Sequence, residues 1–377
     1  MTVLRAGMTV LCAGMTALVR AAGGRPRNGA RSGAAEEAGA RPGRRQTPGK
    51  DESRPLHSHV LPQSMKIWVT RPSGNRIDGM RIAEIAPAEV GPWLPRAVEH
   101  MARVRAASGA LREGHLAEYK TRKAAMFRVG VPRDSRIFTS ETGEWMWLRP
   151  GDEPEVVASR ITGDPAPWVR KIFAACDDRP VAMKVFPGER GLAELPSREI
   201  SERLAVPISD VHLTSTYDDI HVRSMTAAEL DTFLERTMRS ADRHLALASG
   251  SCPMRGSWDV LMKARERLSD GVATPGHALM AICVDSTTIG GIWVEIDGKD
   301  ARIWDLHVYE GYRGHGHSKA ALLAMAEGLK REGVHFLNVT VIAPNTGAID
   351  IYESVGFRVT TRHVVLELPT LAGLVEL

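Results

Sequence analysis

Along the second half of the chain, short alternating runs of apolar and polar residues give way repeatedly to a helical period. Residues 219–225 (DIHVRSM) alternate with period two, which predicts a strand with one buried face. Thr226-Ala-Ala-Glu229 follows as a capping box, and Leu230, Phe233, Leu234 and Met238 form the apolar stripe of the helix it opens. A further helical stretch covers about 258–268. Two alternating runs, 277–285 and 288–296, sit either side of a short turn and predict a hairpin; 301–308 predicts a third strand. Residues 318–332 are helical in period and stop at Gly333, and 335–343 form the next strand. The last helix begins near Asn345 or Thr346, both good caps, and stops at Gly356 before a closing strand over 357–368. The order β-α-α-β-β-β-α-β-α-β describes an α/β domain over 218–370, about 150 residues and so of ordinary domain size.

The first half carries less signal. Residues 80–90 (MRIAEIAPAEV) echo 220–230 (IHVRSMTAAEL) as strand, turn and helix start, with a Glu at the same place. Strands are predicted over 144–150, 153–161 and 179–186, a helix over 166–176, a Ser/Arg/Glu-rich helix over about 197–204, and a closing segment over 210–217. This order loosely repeats the second half, so 66–215 reads as another α/β domain. A degenerate copy and a coincidence of α/β pattern both stay open. After 153–161 comes TGDPAPW, with no Arg and no spaced glycines.

Charge sharpens the division. Residues 1–65 hold ten Arg and Lys against four Asp and Glu, a net of 10 − 4 = +6, whereas the whole chain is +4. Residues 66–377 therefore carry 4 − 6 = −2, which gives no case for nucleic acid binding by the folded part. Gly, Arg, Ala and Pro without an apolar period make 1–65 a disordered basic tail. The apolar run behind Arg5 is broken by Gly7 and Gly14, a poor export signal, and no run is long enough to span a membrane. The four cysteines, Cys12, Cys176, Cys252 and Cys283, are scattered without a metal or disulfide spacing. They suit a reducing cytoplasm.

The chemistry concentrates at residues 312–323, YRGHGHSKAALL, where the strand 301–308 runs through a Gly-rich turn into a helix. Such a junction points backbone N–H groups and the positive end of a helix dipole at one place, an anion site. Gly314 and Gly316 let the backbone approach and adopt positive φ, Arg313 adds charge, and Ser318 can cap. Lys319 stands where a dinucleotide fingerprint needs glycine.

Arg313-Gly314-His315-Gly316-His317-Ser318 resembles the R/Q-x-x-G-x-G/A pyrophosphate loop of the GNAT acetyltransferase superfamily. The stretch Asn345, Ala348, Tyr352, Gly356, Phe357 resembles that superfamily's N-x-x-A-x-x-x-Y-x-x-x-G-F signature. Ser318 departs from the usual Gly or Ala but stays small. The resemblance covers about 219–368 and implies a mixed, largely antiparallel sheet flanked by helices. It also implies transfer of an acetyl or other acyl group from acetyl-CoA, as co-substrate and without a metal, to the amine of a small molecule or peptide. Under it, Leu306 and Val308 would offer backbone groups to the pantetheine arm and thioester, 313–318 and Asn345 would hold the coenzyme, and Tyr352 would protonate the departing thiolate. Asp305 and His307 lie two apart on one strand, so they share a face and either could serve as base. Where the family often has a carboxylate on the next strand, this chain has Thr340. A non-catalytic module that senses acyl-CoA or binds a partner is the alternative. The acceptor would meet the helix at 258–268 and the turn at 271–276.

Overall fold

The computed structural model describes residues 80–367 apart from 129, 178, 212–218 and 250–264. The tail 1–65, most of the segment 210–217 and most of the helix expected at 258–268 lie outside the described residues. All described residues fall within one compact unit.

The first half supplies β1 (Ile82–Glu84), α1 (Pro87–Ala107), α2 (Leu116–Met126), β2 (Arg136–Ser140), β3 (Trp145–Arg149), β4 (Glu155–Arg160), α3 (Ala166–Cys176), β5 (Val181–Val185) and β6 (Arg198–Pro207). The second supplies β7 (Ile220–Ser224), α4 (Ala227–Ser249), β8 (His277–Val284), β9 (Thr287–Asp297), β10 (Asp300–Val308), α5 (His317–Arg331), β11 (Phe336–Ile342), α6 (Thr346–Ser354) and β12 (Arg358–Leu366). Every element expected in the second half appears, save what falls outside the described residues.

The strands form one sheet in the order β1-β2-β3-β4-β5-β12-β6-β11-β10-β9-β8-β7. Read inward from either edge the pattern is the same: five strands, then the last strand of the other half. The described pairings are antiparallel except β4 with β5 and β10 with β11, which are parallel. The exchange of β6 and β12 is energetic as well as topological. Leu204 and Val206 of β6 are buried in the core that holds Ala321, Leu322 and Met325 of α5. Val364 and Leu366 of β12 are buried with Trp168 and Ile172 of α3. Each half thus completes the other's core.

Residues 197–204, expected as a helix, are instead the start of β6. Arg, Glu and Leu favour helices by a few tenths of a kcal/mol each, roughly. Against that, β6 is hydrogen-bonded along both edges, by β11 and by β12, and buries Ser201, Glu202 and Leu204. Tertiary pairing outweighs local preference there.

α4 is pinned at its start. The Glu229 carboxylate accepts from the Thr226 N–H (2.8 Å) and hydroxyl (2.9 Å), from both Arg223 Nη atoms (2.9 and 2.7 Å) and from the Thr288 hydroxyl (2.7 Å). The Arg223 guanidinium is the main reason this carboxyl is held far below the usual range. The expected capping box is present, and it also ties β7, α4 and β9 together. Half of this device opens α1, where Glu89 accepts from the Ala86 N–H at 3.0 Å but Ala86 has no side-chain oxygen to return the bond.

Candidate active site

β10 and β11 pair only from Asp300↔Phe336 to Ile303↔Val339 and then part. At the same point β10 carries a bulge against β9: Ile303 faces Val294 but Asp305 faces Trp293, so Trp304 is the extra residue. The bulge resets which side chains face which way. Before it, Ala301 and Ile303 pack towards α5; after it, Leu306 and Val308 do so. Trp304, Asp305 and His307 are left on the α4 face, where Trp304 stacks on Trp293 with ring centroids 5.3 Å apart. Sequence alternation alone puts Asp305 and His307 together, and the bulge is what turns them towards α4.

The backbone follows. The Tyr309 N–H donates to Ile289 O on β9, so in an antiparallel ladder the amide of Val308 faces the opposite way, into the gap. The amide of Leu306 helps hold the Asp305 carboxylate. β9 presses closely here. A Cβ on Gly290 would lie 2.3 Å from His307 O, and backbone cannot swing aside. Gly290→Ala is therefore expected to lose about 1–3 kcal/mol in chemical denaturation. Unchanged stability would show that β9 and β10 can move apart freely.

On the α4 face, the Thr237 hydroxyl donates to Asp305 Oδ2 at 2.5 Å. Burial pushes the Asp305 carboxyl up to about 6, and the Thr237 and Leu306 bonds offset only part of that. His307 is 9% exposed, and the Arg313 Nη2 lies 3.4 Å from its Nε2. Burial first, then Arg313 and Arg236, bring the ring down to about 4, so it is neutral near pH 7. Arg236 itself lies over the Tyr309 ring, 3.9 Å from its centroid. Thr237 and Arg236 carry no signal in the sequence beyond their place on an amphipathic helix.

The turn after β10 has the expected shape. Gly314 has φ +83° and Gly316 φ +79°, left-handed values that L residues rarely adopt, and Gly316 is the N-cap of α5. The cap is thus not Ser318, which lies within the first turn. Residues Gly314, His315 and Gly316 are exposed, and among the described residues nothing accepts from their amides. The His315 and His317 rings stack on each other with centroids 5.6 Å apart. Arg313 folds back instead of leaning over the turn: its Nε donates to Val308 O at 2.8 Å, clamping the end of β10. Among the described residues no cluster of three or more metal-ligating side chains occurs, and no helix is long and apolar enough to cross a membrane.

Tyr352 of α6 is 5% exposed, edge-on to Phe357 with centroids 5.1 Å apart. Burial and then the nearby Asp305 carboxylate push its hydroxyl above the ordinary phenol value. Asn345 sits at the start of α6 without a side-chain cap; its carbonyl accepts from the Ala348 N–H at 3.1 Å. Thr340 lies on β11, opposite Arg203 of β6.

A parted, bulged strand pair and a Gly-rich turn into a helix thus stand beside a buried Tyr and a buried Asp. A model of the family described as "Acetyltransferase (GNAT) family" matches residues 247–357. An N-acetyltransferase of Bacillus subtilis, YycN, itself without an assigned role, is 31% identical over 117 residues, covering 28% of this chain and 75% of that one. The chain belongs to the GNAT acetyltransferase family. It is also 29% identical over 157 residues to a mycothiol acetyltransferase of Brachybacterium faecium, covering 38% of this chain and 44% of that protein. Among solved structures, a GCN5-related N-acetyltransferase from Sphaerobacter thermophilus matches 78% of this chain and 97% of its own at 17% identity, with a TM-score of 0.46. A tandem GNAT protein from the clavulanic acid pathway matches 77% of this chain and 98% of its own at 14% identity, with a TM-score of 0.36.

Proposed function

We propose that the chain transfers an acetyl group from acetyl-CoA directly to a primary amine in a ternary complex. The observation that carries this is the parting of β10 from β11 beside an exposed run of unpaired amides at Gly314, His315 and Gly316. Those amides, with the α5 dipole behind them, bind the coenzyme diphosphate. The gap receives the pantetheine arm, and the Val308 amide faces the thioester oxygen as it gains charge.

The amine nitrogen attacks the thioester carbonyl carbon, the C–S bond breaks, and the sulfur leaves as thiolate. Tyr352, kept protonated by burial and Asp305, gives that sulfur a proton. Asp305 takes the proton from the attacking nitrogen. His307 is the weaker candidate for base, since burial and then two arginines bring it to about 4 against about 6 for Asp305. The acceptor enters from the α4 face, where Thr237 bonds the carboxylate and Arg236 lies over Tyr309 beside His307.

Incubation with acetyl-CoA and a panel of small-molecule and peptide amines, read as free thiol, tests the reaction. A binding module would titrate with coenzyme A and release none. Tyr352→Phe is expected to lower kcat by about 10²–10⁴-fold with little change in the KM for acetyl-CoA. A variant turning over at the wild-type rate across the pH range would remove Tyr352 from the role of acid.

A further inference from the structure

The turn that follows β4 occupies the place in its half that the turn after β10 occupies in the other, and strand register allows a comparison residue by residue. The last parallel pairs are Val156↔Met183 and Ile303↔Val339. A bulge residue follows at once in both, Val157 and Trp304. Trp147 faces Ala158 as Trp293 faces Asp305. Counting back along β3 and β9, Glu144 then stands where the other half has Gly290. Ala158 stands where it has Asp305. Between β5 and β6 lies only a short 3-10 turn, Gly191–Glu194, where the other half has α6 and Tyr352.

Glu144 is 7% exposed and its side chain reaches into the turn after β4. One oxygen, Oε1, accepts from the Thr162 N–H at 2.6 Å, the Gly163 N–H at 2.9 Å and the Thr162 hydroxyl at 2.9 Å. The other, Oε2, is buried with the Trp168 indole N–H as its neighbouring donor. Burial pushes this carboxyl up, but the bonds from Thr162 and Gly163 outweigh it and hold the group below its ordinary value. A few residues on, Asp164 Oδ1 accepts from the Ala166 N–H at 3.0 Å. Pro165 and Pro167 have no N–H to offer. Where Gly314, His315 and Gly316 present unpaired amides, Thr162 and Gly163 give theirs to Glu144, Ala166 gives its own to Asp164, and Pro165 has none.

We infer that the N-terminal half keeps an anion-binding turn and fills it with the Glu144 carboxylate, so that acyl-CoA enters one of the two clefts and is excluded from the other. A diphosphate approaching residues 161–166 meets like charge, and the amides of Thr162, Gly163 and Ala166 are already engaged. The position of the bound coenzyme rests on the function proposed above; the closing of the N-terminal turn does not.

Calorimetric titration of the full chain with coenzyme A is expected to saturate at one per chain, and two per chain would overturn the inference. A second arm uses Glu144→Ala in a chain that also carries Gly316→Trp, so that residues 313–318 contribute nothing. Removal of the carboxylate frees two amides and a hydroxyl for an external anion. Inorganic phosphate in excess is expected to raise the Tm of this chain by about 2–4 °C, and to leave Gly316→Trp alone unmoved. Equal responses in the two chains would overturn it. If no coenzyme A titrates at all, the proposed function fails and the phosphate arm decides the inference by itself.

Discussion

Gly316→Trp abolishes acetyl-CoA binding while the chain stays folded. The residue caps α5 at φ +79°, so any L side chain strains the turn, and an indole would also cover the amides of Gly314 and His315. Residues 311–316 are exposed, so the substitution falls at the surface. The expected result is no heat in titration with coenzyme A, no turnover, and a far-UV spectrum and Tm close to those of the original chain. Full affinity in a folded Gly316→Trp would mean that the diphosphate lies elsewhere.

The second large effect belongs to Asp305. Its carboxyl titrates at about 6 when folded, against 3.8 when free. Between those values the folded chain holds a proton that the unfolded chain has lost, so stability falls as pH rises through that window. Above about 6 the full penalty of a buried carboxylate is present. Asp305→Asn carries no such penalty and can still accept from Thr237. Its Tm is therefore expected to match the original chain at pH 4 and to exceed it at pH 8. Activity is expected to move oppositely: kcat/KM drops by about 10²–10⁴-fold, and the limb that rises near pH 6 disappears. A variant that is both active and no more stable at pH 8 would remove Asp305 as the base. A group kept at a cost to stability and required for turnover is what a functional site leads one to expect.

The parts of this site that were legible in the sequence are those fixed by short-range geometry. Gly314 and Gly316 are needed at positive φ, Tyr352 follows Asn345 at helical spacing, and Thr226 with Glu229 forms a bonded box; each constraint spans a few residues. What was not legible depends on partners far apart in the chain. β6 and β12 meet through pairs such as Ser201↔His363, and nothing local to 197–204 announces a strand with neighbours on both sides. The helix α1 is masked by Pro92 and Pro95 within it. The bulge at Trp304 is visible only once β9 and β10 are in register. Glu144 reads as the polar first residue of an aromatic strand, and only the pairing of β3 with β4 carries it to Thr162 and Gly163.

The exchange of β6 and β12 also bears on function. β6 lies against β11, which borders the proposed coenzyme gap, so the first half supports the reacting half directly. A chain cut between the halves would leave each core without one strand, and the free C-terminal half would lose the neighbour that holds β11 in place.

The decisive measurement is a crystal structure of the chain grown with coenzyme A. A diphosphate is expected about 2.7–3.2 Å from the amides of Gly314 and Gly316, with the thiol between β10 and β11 near Tyr352. Coenzyme lodged between β4 and β5, or a turn at 313–318 blocked by His315 and His317 with no diphosphate beside it, would contradict that placement.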